Sequence, residues 1–441
     1  MGQQMTTTKT SLVTTDDGNE DNKQQPQIYA KDSLDRFGDD LCALLLSYFP
    51  FKDRFRCECV SKQFQRTVVG SVVDINIDDS FMRKISYKKR VNNQKLVSIA
   101  IKCPNIETIV CEVISTEYMK NMCKVLDTFR DNCLHLRQIY CKLWSNRTQL
   151  SETIGPLVTR IPYMSSQMTE SLIHCHRLSQ LVVHSLSDVF DSSSGQLLAK
   201  NLLKFEFNSY SSDNKKLLSA FVAHNQSLKS LKVMYDLSRG QNSHESVTQI
   251  YGQLSRLTQL RELTLDFEIF RAENSLSESL RTIGLNCKQL QRLALQLNSY
   301  NTTLNDQTLD SLRYYDRLKR LQLSLNENNI SLLDNMEVLE PLKLCHRLQH
   351  LSLIIRQMSG EFLIDCDKQW PRLHYLSIKS RDFSRDCLSH ISRLPALQTL
   401  VIQCQRSDGL RDNDFNDLLS SSPKLKVIEI RVNNEKKFYL K

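Results

Sequence analysis

The chain has 441 residues, enough for two or three domains or one elongated array. Hydrophobic residues at 40% and charged residues at 24% are ordinary for a soluble globular protein, and a net charge of +9 suggests acidic partners only weakly, with no nucleic acid expected. No apolar run reaches the roughly 18 residues of a membrane span, and no N-terminal segment resembles a secretory signal. The 14 cysteines are therefore expected to be reduced thiols, in the cytoplasm or the nucleus.

Residues 1–30 are mainly Thr, Gln, Asp and Asn and are expected to form a disordered tail. Met1-Gly2 with Thr6 fits the short N-myristoylation pattern, which chance also supplies.

Residues 31–70 are expected to form a three-helix module. Leu41, Leu44, Leu45 and Tyr48 stand at the spacing of one apolar helical face, with Asp39 or Asp40 as acceptors at its start and Pro50 as its stop. A second helix is expected from Asp53, carrying Phe55 and Cys59. A third is expected from Ser61, carrying Phe64 and Val68. So short a segment cannot bury all this apolar surface by itself, so it reads as a docking module.

Phe37-Gly38-Asp39-Asp40-Leu41, Leu44-Leu45, Ser47-Tyr48-Phe49, Lys52-Asp53 and Val60-Ser61-Lys62 with Phe64 resemble an F-box. Phe37-Gly38, Arg54 and Phe64 depart from the family's preferred residues. The resemblance implies docking onto the Skp-type adaptor of a cullin–RING ubiquitin ligase. It assigns adaptor contact to Phe37, Leu41, Leu44, Leu45, Phe49, Phe51, Phe55, Val60 and Phe64. The alternative is that these helices merely cap the next domain.

From residue 71 onward, a capping unit is expected at 71–78, built on Val72, Ile75 and Ile77. A pattern of apolar residues spaced L-x-x-L-x-L then recurs. Its first positions are Ile106, Leu136, Leu178, Leu202, Leu228, Leu260, Leu290, Leu318, Leu348, Leu373, Leu397 and Leu425, with a mean spacing of about 29 residues. Five copies carry Cys three residues earlier: Cys103, Cys133, Cys175, Cys287 and Cys345. The alternation in each hexad makes a short strand with its leucines inward, and helical patterns such as Leu276, Leu280 and Ile283 lie between. The expected class is α/β: a three-helix module, then a curved leucine-rich-repeat solenoid over 71–441. About 12 repeats would place parallel strands on its concave face. Module and repeats together resemble the F-box/leucine-rich-repeat proteins.

Enzyme signatures are weak: only 11 glycines occur, without a phosphate loop or nucleophile elbow. His174-Cys175-His176 has poor metal spacing, and no metal site or cofactor is expected. Arg83, Lys84, Lys88, Lys89 and Arg90 form a basic run that is either a nuclear signal or a solvated loop. Side chains between the inward leucines line the expected concave face, where Lys229, Lys232, Arg261, Arg292, Lys319, Arg320 and Tyr375 are candidates to contact an acidic or phosphorylated substrate segment. The family likeness implies a non-catalytic substrate receptor of a Skp–cullin–F-box ligase. The other reading is a repeat scaffold without a role in ubiquitination.

Overall fold

The computed structural model describes residues 38–441 except 50, 88–89, 112–113, 142–151, 153, 165, 210–213, 237–249, 270–274, 300–308, 328–335, 359, 407–408 and 433–434. The expected N-terminal tail, Phe37 and Pro50 lie outside the described residues. The chain divides into two units, Met1–Ser71 and Val72–Lys441.

The first unit contains helices α1 (Asp39–Ser47), α2 (Phe51–Arg56) and α3 (Lys62–Gly70), with a 3-10 turn, Cys57–Cys59, after α2. Ser61 caps α3 as expected, its hydroxyl accepting from the Phe64 N–H at 3.1 Å. The start of α1 differs from expectation. Gly38 is its N-cap and no side chain caps it. Asp39 instead reaches across to α3, accepting from Gln63 Nε2 at 3.0 Å and from Arg66 at 2.9 Å. The second helix begins at Phe51, two residues before the expected Asp53.

In the second unit one sheet of 16 strands runs from Asp74–Asn76 to Glu435–Leu440 among the described residues. Every neighbouring pair is parallel until the last, where Glu435–Leu440 returns antiparallel along Val427–Val432. Leu231, Leu263, Leu293, Leu321, Leu351, Leu376, Leu400 and Ile428 stand opposite one another in successive strands, and all are buried. A side-chain period of two keeps each such column on one face, so every repeat completes the core of its neighbour. The lead-in is equally regular: the carbonyl oxygens of Lys229, Arg261, Gln291, Lys319, Gln349, His374 and Gln398 each accept two N–H groups from the next repeat. Leu293→Ala is expected to cost about 2–5 kcal/mol. Gln291→Ala, at the surface end of the same hexad, should stay within about 0.5 kcal/mol. Denaturant titration of both variants checks the register, which equal losses would contradict.

The interval between Leu136 and Leu178 holds a further strand, Val158–Met164, that the hexad pattern misses. Its buried residues Val158, Ile161 and Met164 are spaced by three, and its register shifts against both neighbours. The recurrent cysteine position also proves broader than cysteine. In several repeats it stitches the helical turn to the repeat before it. Cys287 Sγ approaches the carbonyl oxygens of Ser255 and Leu257, Tyr315 OH donates to Leu280 O at 2.7 Å, and Trp370 Nε1 donates to Leu342 O at 3.0 Å. Asn225 fills the same place, donating to Ala199 O and Phe221 O. Each places a buried polar side-chain group against a backbone carbonyl in the interior. Gly284 leaves room for one of these stitches, because a Cβ there would meet Tyr314 Cβ and Tyr315 Cε2 at 3.0 Å. Among the described residues, no helix is long and apolar enough to cross a membrane.

Candidate functional site

The helical unit presents the first candidate surface. Its small core is Cys42, Leu46, Phe64 and Val68, with Phe55 and Cys57 packed against it. Helix α1 thus buries Cys42 and Leu46 and turns its leucine-rich side outward. Leu41, Leu44, Leu45, Tyr48, Phe49 and Val60 are each between 41% and 79% exposed. Apolar side chains this exposed on so short a unit mark a surface for another macromolecule. The frame holding them is polar. Arg66 and Gln63 fix Asp39, and the Arg66 guanidinium holds its carboxyl below the usual range. Arg54 Nε donates to Phe49 O at 2.9 Å, and its Nη2 reaches Ser47 O at 3.3 Å. An arginine where the family prefers an aliphatic residue therefore closes the carbonyl end of α1.

Among the residues expected to contact an adaptor, Leu41, Leu44, Leu45, Phe49 and Val60 lie at the surface. Phe55 is half-buried, while Phe64 is buried in the core and supports the face from beneath. Phe37 and the side chain of Phe51 lie outside the described residues. Tyr48, the most exposed of the group, completes the outward side of α1.

The second candidate surface is the solvent side of the sheet. The strands Glu262–Ile269, Arg292–Ser299, Arg320–Glu327, His350–Ile354 and Tyr375–Phe383 enclose a hollow of about 280 Å³. Its rim is a row in register: Glu262, Arg292, Arg320, His350 and Tyr375. Its floor includes Thr264, Ala294, Gln322 and Ser352, two residues further along their strands. Arg292 is engaged by Glu262 at 2.5 Å. The His350 ring lies 5.7 Å from that of Tyr375. Burial, and then the nearby Arg320, His374 and Arg292, push His350 below the usual imidazole range.

Arg292, Arg320 and Tyr375 thus share one site, whereas Lys229, Lys232, Arg261 and Lys319 do not line it. Arg261 and Lys319 precede their strands, because the second hexad position belongs to the lead-in turn. Lys232 is held by Glu206 at 2.6 Å. Sequence reasoning saw Glu262 only as a carboxylate interspersed among the basic residues, and missed His350 and the floor residues. The visible signal was the shared fifth hexad position, occupied by Thr264, Ala294 and Ser352 in neighbouring repeats.

Cys175 is buried, with Sγ 3.5 Å from Ser171 O. No grouping of three potential metal ligands occurs among the described residues. Burial pushes the Cys175, Cys287 and Cys345 thiols up to about 12. In the native protein an alkylating reagent should therefore label the exposed Cys59 and spare these three until unfolding, as read by peptide mass spectrometry. Early labelling of Cys287 would contradict its interior place. In the basic run, Arg83 and Lys84 end a helix and Arg90 lies in a short hairpin, while Lys88 and Lys89 lie outside the described residues.

Residues 34–75 match the F-box domain family. No curated protein matches the chain. Among solved structures, the chain is similar to a protein from the TLR13–ssRNA13 complex at 12% identity and a TM-score of 0.31, covering 83% of this chain and 60% of that one. The chain thus spans about 60% of that protein's length. It is also similar to a chain of the Rad7 and Elc1 complex from yeast, at 12% identity and a TM-score of 0.38, over 90% of this chain and 93% of that one. The leucine-rich-repeat-containing protein LegL7 from Legionella pneumophila gives 12% identity and a TM-score of 0.36, over 73% and 97%. Likenesses this low carry nothing about binding. The chain carries an F-box domain at residues 34–75, followed by a long, mostly parallel repeat sheet of the leucine-rich-repeat kind.

Proposed function

We propose that this protein is the substrate-recognition subunit of a cullin–RING E3 ubiquitin ligase of the Skp–cullin–F-box type. The F-box domain docks on a Skp-type adaptor, and the repeat sheet holds the protein substrate. The observation that carries this reading is the outward leucine side of α1, with Leu41, Leu44 and Leu45 exposed within a segment that matches the F-box family. The subunit does no chemistry itself. It keeps a substrate lysine beside a ubiquitin-charged enzyme, at an effective concentration on the order of mM or above. Such work belongs in the cytoplasm or nucleus and needs no cofactor.

Affinity capture of the full chain from cells tests the reading. Recovery of a Skp-type adaptor and a cullin in comparable molar amounts supports it. Recovery of other partners through the repeats, with neither ligase subunit present, would instead favour a repeat scaffold outside the ubiquitin system.

A further inference from the structure

The hollow in the sheet is electrostatically incomplete. Across it, parallel strands about 4.8 Å apart bring Glu262, Arg292, Arg320, His350 and Tyr375 into one row. Glu262 takes up Arg292. Arg320 has Arg292 on one side and His350 on the other, and forms no ion pair among the described residues. Burial, and then the neighbouring Arg320, His374 and Arg292, push His350 below the usual imidazole range. Two guanidinium groups and an imidazole share the row with a single carboxylate, and that carboxylate is already engaged. Beneath them the short side chains Ala294 and Ser352 leave the space open.

We propose that this hollow binds one anionic group of the substrate, a carboxylate or a phosphate, between Arg320 and His350. The proposal rests on the reading of the sheet as the substrate-holding surface. An arginine fork suits either oxyanion, because parallel N–H donors match two of its oxygens. The volume of about 280 Å³ fits one side chain rather than a strand of charges. The site therefore selects a single negative position within a segment of otherwise free sequence.

The test uses the full chain and pools of short peptides with randomised flanks, differing only in a central phosphoserine, Glu or Gln. Wild-type protein should enrich the phosphoserine or the Glu pool over the Gln pool by about tenfold or more, the equivalent of one charge-assisted contact. Arg320→Gln removes the reader and Ala294→Leu fills the floor. Both substitutions lie at the sheet surface, and each should abolish the enrichment. Arg261→Gln removes an exposed arginine outside the hollow and should retain it. Enrichment of phosphoserine alone assigns a phosphorylated substrate, and enrichment of both pools assigns an acidic one. Absence of enrichment in the wild type, full enrichment by Arg320→Gln, or equal loss in Arg261→Gln overturns the proposal. Adaptor capture on the same preparations separates the two readings. Wild-type protein that captures the adaptor without enriching either pool overturns the hollow alone, while wild-type enrichment without adaptor capture overturns the receptor reading alone.

Discussion

Trp370→Ala is expected to destabilise the repeat array by about 3–5 kcal/mol. The indole is fully buried, with its ring centroid 5.6 Å from that of Phe362, and Nε1 donates to Leu342 O of the preceding repeat at 3.0 Å. Removing it opens a cavity between repeats that share one core and leaves the Leu342 carbonyl with the Cys345 N–H alone. Because each repeat is supported only by its neighbours, such damage acts on the interface on both sides. Trp370→Phe keeps much of the volume and loses the hydrogen bond, so its cost should be smaller, about 1–2 kcal/mol. Urea titration of both variants gives the comparison. A loss below about 1 kcal/mol for Trp370→Ala would show that the indole does not stitch the array.

Much of the fold was legible in the chain, because leucine alternation with a period of two leaves one register that buries every hydrophobic column. Leu263, Leu293, Leu321 and Leu351 pair as that alternation requires. The strand Val158–Met164 was not legible. Its apolar residues are spaced by three, and its pairing depends on neighbours that supply the missing order. In the helical unit the leucine spacing marked an apolar side of α1. Only packing distinguishes the side that Cys42 and Leu46 bury from the side that Leu41, Leu44 and Leu45 expose. The basic residues of the sheet were visible in the same way, but their grouping was not. A hollow requires short side chains to meet in three dimensions, and Ala294 and Ser352 come from repeats nearly sixty residues apart. Arg261 and Lys319 looked equivalent to Arg292 and Arg320 until the strand starts separated lead-in from strand.

The central claim is that α1 docks on a Skp-type adaptor through its exposed leucines, and Leu41→Asp combined with Leu45→Asp addresses it most directly. In an apolar interface each new carboxylate would be stripped of water without a partner. The pair should therefore weaken docking by on the order of hundredfold or more. Neither change touches the core of the unit, whose packing rests on Cys42, Leu46, Phe64 and Val68. Both leucines are exposed, so the thermal unfolding midpoint should remain that of the wild type. The measurement is co-purification of a recombinant Skp-type adaptor with tagged wild-type and double-mutant chains, alongside that unfolding midpoint. The expected result is a near-equimolar complex for the wild type and loss of the adaptor from an equally stable mutant. Equal adaptor recovery by the two proteins would contradict docking through this face.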